Sequence, residues 1–159
     1  MLQLVVLSLD DHQYALPLSV VKKVFPIVEI TQLPQVPEII AGIVNVRGKV
    51  MPVFDIRKRL QLPTREIKIT DQLILASTSK RNIGLIADQV IGLVECDEEN
   101  IIDTNDVYPN VTYLSGVAKL KDGIALIHNL DKFLSTEEEM LLERAIRSPE
   151  LDINLPVES

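Results

Sequence analysis

An internal repeat of the hydrophobic pattern constrains the fold of this chain more than any other feature. Segment 4–24 matches 73–93 without a gap at a shift of 69 positions, and 42–60 matches 116–134 at a shift of 74. The additional residues fall in the second linker, where insertions cost little free energy. Each copy has a hairpin, a helical turn, a linker, a glycine-led hairpin and a short helix. Because one copy is too small to bury its surface well, we predict two β-rich units that share a core and leave a groove where they meet.

The first copy begins with a predicted hairpin whose apolar arms flank the polar residues 10–13. The segment 17–25 is predicted to form one or two helical turns, because Val20, Val21 and Val24 recur at helical spacing. A turn of this length cannot bury all its sides. We therefore expect part of this valine cluster to belong to the core and part to mark a partner site.

The second hairpin of the first copy is predicted to run from 42 to 54 around a turn at 47–49. Asp55 is expected to cap a short helix over 56–60. The prolines between 33 and 37 favour a stiff, extended connection before this hairpin.

The second copy is predicted to contain hairpins over 73–87 and 114–129, the latter closed by an Asp-Gly turn signal. Residues 105–110 are expected to form a loop. Capping-box spacing at Ser135 predicts a C-terminal helix over 135–147. Its expected buried stripe contains Leu141, Leu142, Ala145 and Ile146. Residues 149–159 are expected to form a flexible tail.

Composition excludes several classes of protein. The chain of 159 residues has a net charge of −7, which disfavours a nucleic acid or an anionic membrane as the main partner. One cysteine, Cys96, excludes an internal disulfide and a multi-cysteine metal site. Neither a membrane-spanning helix nor a signal peptide is predicted, so we expect a cytoplasmic protein without membrane insertion.

Groups that could perform catalysis are few and scattered. His12 is expected in a solvated turn, and His128 is expected to be half-buried and hydrogen-bonded near a strand end. Neither histidine has a partner at metal-ligand spacing, and Cys96 has no evident activating base. The aspartates Asp55 and Asp88 are better explained as cap or turn residues. We therefore expect no enzyme activity, no cofactor and no metal.

Nucleic-acid binding by a small barrel is a distant alternative. It needs a basic groove with aromatic platforms, whereas aromatic residues are only 4% of this chain. The basic clusters are short and are expected to be solvated: Lys22-Lys23, 57–59 and Lys80-Arg81. Protein binding is the favoured function.

Two motifs lie in the glycine-led hairpin of the first copy: Gly-x-x-Asn-x-Arg-Gly at 42–48 and Pro-x-x-Asp-Ile-Arg at 52–57. Together they resemble the CheW-like family of chemotaxis coupling proteins and are the most specific part of that resemblance. Tyr14-Ala15-Leu16, the segment 113–116 and the ending 134–140 are also similar to the family. The resemblance extends from Leu4 to about Ile146.

This resemblance implies a mainly β fold of two pseudo-symmetric SH3-like small β-barrels that share a core, with short helices and a C-terminal helix. It implies one CheW-like domain over 1–148, with a first barrel mainly over 14–70, a second mainly over 80–134, and strands exchanged between the halves. It also implies an adaptor that joins the cytoplasmic tips of methyl-accepting chemoreceptors to the regulatory domain of the chemotaxis histidine kinase. An adaptor for a kinase pathway outside flagellar chemotaxis is the alternative.

Five positions are candidates for protein binding by this resemblance: Val21, Val24, Gly42, Arg47 and Gly48. The two valines would supply apolar contact to the kinase or the receptor. Gly42 would either admit a partner backbone or mark a strand bend, and Arg47 would contact a partner or fix the hairpin tip. Gly48 is expected to provide the positive φ of the turn.

The chain departs from the family pattern at two places. Lys22-Lys23 stand where relatives often carry an acidic residue, which changes the expected charge complementarity with partners. His128 and Asn129 replace more common apolar or acidic residues.

Overall fold

The structure, a computed structural model, describes residues 1–103 and 111–147. The predicted loop at 105–110 and the predicted tail at 149–159 lie outside these residues. The strands in the described part are β1 Leu2–Leu9, β2 His12–Pro17, β3 Val21–Pro26, β4 Ile40–Val46, β5 Lys49–Phe54, β6 Gln72–Ser77, β7 Asn82–Ala87, β8 Gln89–Cys96, β9 Ile101–Ile102, β10 Leu114–Leu120 and β11 Gly123–His128. The α-helices are α1 Ile56–Leu60 and α2 Thr136–Ile146.

The strands form two sheets that exchange hairpins between the halves of the chain. Sheet A has the order β8-β1-β2-β11-β10-β9, and sheet B has the order β3-β6-β7-β5-β4. The hairpin β1–β2 therefore lies with strands of the second half, and β6–β7 lies with strands of the first. The range 14–70 therefore includes β2, which belongs to sheet A. The range 80–134 includes β7, which belongs to sheet B.

The repeat predicted from the sequence is reproduced in the strand pairing. The register of β3 skips Lys22, and the register of β8 skips Ile91, its equivalent at a shift of 69. The hairpins β4–β5 and β10–β11 skip Ala41 and Ser115, which are equivalent at a shift of 74. Each skipped residue marks a β-bulge. The two halves of the chain therefore have the same pattern of strand pairing, with β-bulges at equivalent positions.

Three apolar clusters fill the fold. One lies within sheet A around Leu4 and Ala15, and one lies within sheet B around Val53 and Leu73. The third lies between the sheets and contains Leu7, Leu9, Tyr14, Leu16, Phe54, Ile74, Ile83, Leu85 and Leu142, among others. Successive strand residues face opposite sides, so β1, β2, β6 and β7 serve a barrel core with one face and the shared core with the other. This explains their nearly continuous apolar sequences.

The helical turn predicted over 17–25 is wrong. Leu18–Val20 form one 3-10 turn, and Val21–Pro26 form β3, which pairs antiparallel with β6. Valines favour a pleated strand, and the bulge at Lys22 interrupts the alternation of side chains that would otherwise identify one. The equivalent strand β8 was missed for the same reason. Pro34 and Gln35 form a turn within the predicted extended connection.

Local capping signals gave correct predictions for both helices. The carboxylate of Asp55 accepts a hydrogen bond from the backbone N–H of Arg57 at 3.1 Å. Ser135 and Glu138 form the complete capping box at the start of α2. The predicted stripe of α2 is correct for Leu142, which is fully buried, but wrong for Leu141, which is 37% exposed.

Candidate protein-binding site

Val21 and Val24 lie on an open edge of sheet B. Their strand, β3, is the first in the strand order and pairs only with β6 among the described strands. Both side chains are half-buried and pack against the shared core together with Val20. The valines therefore do not divide into buried and exposed residues. Each side chain has one part of its surface against the core and the other part exposed. We call Val20, Val21 and Val24 the valine edge.

Arg47 and Gly48 form the two-residue turn between β4 and β5. Both have positive φ, 52° and 80° respectively, as a type I′ hairpin turn requires. The side-chain oxygen of Asn45 accepts a hydrogen bond from the backbone N–H of Gly48 at 2.9 Å. Arg47 is exposed and makes no ion pair with any residue that the structure describes. We call Arg47 and Gly48 the hairpin tip.

Replacing Arg47 with asparagine should stabilise the fold. A non-glycine residue in the left-handed region costs about 1–2 kcal/mol, and asparagine tolerates this region better than arginine. We expect Arg47→Asn to raise the free energy of unfolding by about 0.5–1 kcal/mol, measured by denaturant titration. Lys121→Asn is the matched control, because Lys121 is equivalent at a shift of 74 but lacks a positive φ. An equal gain in both variants would contradict this explanation.

Gly42 admits a backbone, but the backbone belongs to the same chain. A Cβ atom at Gly42 would lie 2.2 Å from the carbonyl oxygen of Thr31, and φ is +153°. Thr31 and Ile43 exchange two backbone hydrogen bonds of 2.9 and 2.8 Å, which close the barrel of sheet B. Gly42 is also buried. Its close approach therefore serves the fold, and the space beside it is filled.

An added methyl group at Gly42 should be costly because a backbone atom is difficult to displace. We expect Gly42→Ala to lower the free energy of unfolding by about 1–3 kcal/mol through overpacking and strain. At the equivalent Gly116, a Cβ atom would lie 3.0 Å from a side-chain methyl of Ile101 and 3.2 Å from the backbone oxygen of Ile102, a full ångström farther than the backbone contact at Gly42, and φ is not in the positive range. Thermal unfolding should therefore show Gly116→Ala to be the milder substitution; the reverse order would disprove the argument.

The candidate residues differ in chemistry and in accessibility. The valine edge is a partly exposed apolar strip on β3 and just before it, and the hairpin tip is an exposed basic turn after β4. β3 and β4 stand at the two ends of the strand order of sheet B, and the Thr31–Ile43 bridge joins the segment after β3 to β4. Gly42 lies under the chain's own backbone. The structure therefore offers two accessible features, one apolar and one basic.

A charged network near the middle of the fold was not predicted. Arg57 donates hydrogen bonds of 2.7 Å to Asp10, in the β1–β2 turn, and to Asp88, between β7 and β8. Arg65 donates to Asp88 at 2.5 Å and to Asp71 at 2.7 Å. The expectation that 57–59 is a solvated cluster is wrong for Arg57, which is only 5% exposed.

The network favours the ionised form of each member. Hydrogen bonding to Asp10 and Asp88 raises the pKa of Arg57 despite burial. Burial opposes ionisation of Asp88, but hydrogen bonds from Arg57, the Asp10 backbone and Arg65 outweigh it and lower the pKa of the carboxyl. Asp10 and Asp71 also have lowered pKa values, Asp10 chiefly through its bond from Arg57. The arrangement joins α1 to both sheets and is a structural ion-pair network.

His128 is more deeply buried than predicted. It is 1% exposed, and neither ring nitrogen has a hydrogen-bond partner among the described residues. The ring packs against Tyr14 and Phe133, with centroid distances of 5.0 and 5.2 Å. Burial lowers the pKa of His128 to about 3, so the ring is neutral at ordinary pH. The predicted hydrogen bond is absent because the side chain faces an aromatic cluster.

The described residues contain no group of three or more histidines, cysteines or acidic residues arranged to hold a metal ion. Cys96 is buried. Within residues 1–103 and 111–147, no helix is long and apolar enough to cross a membrane. Two exchanged β units around a shared core, with a partly exposed apolar strand edge and an exposed basic tip, define a β-rich protein whose accessible features suit contacts with other proteins.

Comparisons with known proteins identify the family within this class. The model described as the CheW-like domain matches residues 3–138. The chain belongs to the CheW-like family of chemotaxis scaffold proteins, which are not enzymes. This confirms the resemblance inferred from the motifs at 42–57.

Individual relatives are similar over most of the chain. The chemotaxis protein CheW of Bacillus subtilis is 31% identical over 99 residues, covering 62% of this chain and 64% of that relative. The chemotaxis protein CheW of Rhizobium meliloti is 23% identical over 138 residues, covering 86% of this chain and 89% of that relative.

A solved structure confirms the fold class. The crystal structure of the scaffolding protein TtCheW from Thermoanaerobacter tengcongensis matches with a TM-score of 0.76 and 32% sequence identity. The match covers 86% of this chain and 94% of that chain. The predicted pair of SH3-like barrels with a shared core and a C-terminal helix is therefore correct.

Proposed function

We propose that this protein is a cytoplasmic adaptor that couples methyl-accepting chemoreceptors to the regulatory domain of the chemotaxis histidine kinase. The observation that carries the proposal is the presence of two accessible features of different chemistry, an apolar strand edge and a basic hairpin tip, on one small fold. A protein that joins two partners needs a contact for each of them. Membership in a family of chemotaxis scaffolds supports the same function.

The valine edge is the apolar docking surface in this proposal. Val21 and Val24 are held by the shared core but keep part of their surface exposed. Branched side chains fixed by a core lose little conformational entropy on binding. An open strand edge also presents unpaired backbone groups to a partner. The partner here is the kinase regulatory domain or the receptor tip.

The hairpin tip is the second surface in this proposal. Arg47 projects from a tight turn, where a planar guanidinium can make a bidentate contact with a carboxylate. It occupies a costly backbone region that asparagine or glycine would occupy more favourably. The presence of arginine at such a position supports a binding role for its side chain.

Each pairwise contact is expected to be weak. Both surfaces are small, and an adaptor in an array gains its strength from many simultaneous contacts. We therefore expect micromolar or weaker affinity for each partner alone, and much tighter retention by assembled receptors and kinase.

Val21→Asp tests the valine edge. A charge buried at an apolar contact should reduce capture of the purified kinase regulatory domain or the receptor fragment by at least about tenfold. The matched control is Ile124→Asp, which places the same charge at a 58% exposed position on β11. Circular dichroism must show both variants folded. Undiminished capture of both partners by a folded Val21→Asp variant would refute the site, and failure of the unchanged protein to bind either partner would refute the function.

A further inference from the structure

Two adjacent lysines share the exposed side of the valine edge because of a bulge. Val21 pairs with Ala76 and Lys23 pairs with Leu75, so Lys22 is the additional residue. In a regular strand, neighbouring side chains would face opposite sides. The bulge interrupts this alternation, and Lys22 and Lys23 are both exposed while Val21 and Val24 stay half-buried on either side of them. The two charges therefore flank the apolar surface directly.

No described residue neutralises Lys22 or Lys23. Neither lysine takes part in an ion pair within residues 1–103 and 111–147. Lys23 is also held in place, because its ammonium lies 5.3 Å from the centroid of the Phe25 ring. Such a cation–π contact orients a side chain that would otherwise be freely rotating. Lys22 and Lys23 are therefore two positive charges without an ion pair in the described part of the fold, on a chain with a net charge of −7.

The bulge itself does not require lysine. The equivalent bulge in β8 has Ile91 at the additional position and Gly92 after it. Ile91 is 49% exposed there, so an apolar residue satisfies the same backbone geometry. The lysines in β3 are thus not explained by the local conformation, and no contact within the described residues uses their charge other than the Phe25 ring.

We propose that the partner surface covering the valine edge is acidic, with carboxylates that pair with Lys22 and Lys23. This rests on the proposed docking role of Val21 and Val24 and specifies the chemistry of their partner. An acidic protein surface fits better than a nucleic acid, because two lysines neutralise few phosphates and the rest of the chain repels a polyanion. Complementary charges at the rim of an apolar contact speed association and select the partner.

The test compares two double variants with equal changes in net charge. Lys22→Glu/Lys23→Glu reverses the charges at the valine edge. Lys119→Glu/Lys121→Glu reverses two exposed lysines at the β10–β11 hairpin. Affinity for the purified kinase regulatory domain and for the receptor fragment is measured by calorimetry at about 50 mM and about 500 mM NaCl, where screening differs strongly.

We expect the unchanged protein and the Lys119/Lys121 variant to bind alike and to lose affinity as salt increases. The Lys22/Lys23 variant should bind one partner about tenfold or more weakly at low salt, and its affinity should rise with salt because screening weakens the new repulsion between carboxylates. Changing the acidic residues of that partner to lysine should restore its binding.

The outcomes separate this inference from the docking proposal. If Val21→Asp abolishes binding while the Lys22/Lys23 variant keeps full affinity and salt dependence, the partner surface is not acidic and the docking proposal stands. If both lysine pairs weaken binding equally, only net charge matters and the inference is wrong. Retention of the unchanged protein on a single-stranded oligonucleotide, lost in the Lys22/Lys23 variant, would also overturn it.

Discussion

Arg57→Ala should destabilise the protein more than any other single arginine substitution in the described part of the chain. The guanidinium is almost fully buried and donates to the carboxylates of Asp10 and Asp88 at 2.7 Å. Its removal leaves Asp10 and Asp88 to repel each other, with Arg65, which donates to Asp88, as the remaining counter-charge in the network. Breaking a buried ion pair on one side costs about 3–5 kcal/mol, and because both carboxylates reach solvent we expect about 2–4 kcal/mol.

Arg59→Ala provides the comparison for Arg57→Ala. Arg59 pairs with Glu138 across a partly exposed contact, with side chains 25% and 26% exposed. Because solvent screens this pair, its loss should cost about 0.5–1 kcal/mol. Denaturant titration of both variants measures the difference. Equal losses of unfolding free energy in the two variants would show that the burial of Arg57 does not increase its contribution to stability. Arg57→Lys should recover only part of the loss, because one ammonium cannot reproduce the planar fork that spans both carboxylates.

The pairing of strands could be predicted from the sequence where a turn signal lies between two apolar runs. The β4–β5 hairpin around 47–49 and the β10–β11 hairpin around 121–123 were predicted this way, and their turns in the structure are Arg47-Gly48 and Lys121-Asp122. The repeat predicted that both halves have the same plan, and the matched bulges at Lys22 and Ile91 confirm it. Local chemistry and internal symmetry were sufficient at these places.

The exchange of hairpins between the sheets depends on contacts that no local pattern encodes. Tyr14 and Leu126 are parallel neighbours although 112 positions separate them. The valine spacing that predicts a helix in β3 is produced by one additional residue at Lys22, which shifts Val24 relative to a regular strand. Arg57 was expected to be solvated because the sequence alone does not show that Asp10 and Asp88 meet there.

The candidate site was partly predictable for similar reasons. The motifs identified the hairpin tip and the valine edge as notable, since turn residues and apolar runs are visible in one sequence. They did not show that the backbone approaching Gly42 is that of Thr31. That contact is set by the closure of the barrel, which depends on the whole sheet.

His128 should make the fold sensitive to mild acid. Its pKa is lowered to about 3 by burial, whereas the ordinary value is 6.5. The unfolded chain therefore binds a proton at a pH where the folded protein does not. Stability conferred by the neutral ring is complete above the ordinary pKa and is lost as the pH falls towards the folded value. The loss should reach about 2 kcal/mol at pH 5 and about 3 kcal/mol at pH 4.

His128→Phe should remove this sensitivity and keep the aromatic cluster with Tyr14 and Phe133. No described residue forms a hydrogen bond with the imidazole nitrogens of His128. Replacing the imidazole with a phenyl ring therefore breaks no such bond and removes the cost of burying two polar nitrogen atoms. Denaturant titrations at about pH 7 and about pH 5 should show a stability difference between variant and unchanged protein that grows by about 2 kcal/mol at the lower pH. The carboxyls of Asp10, Asp71 and Asp88 are common to both proteins and cancel in this comparison. His12→Asn is the control, because it removes the other histidine of the chain from an exposed position on β2, outside the aromatic cluster. A difference that stays constant from pH 7 to pH 5 would mean that the imidazole accepts its proton within the folded core, and the proposed origin of the acid sensitivity would be wrong.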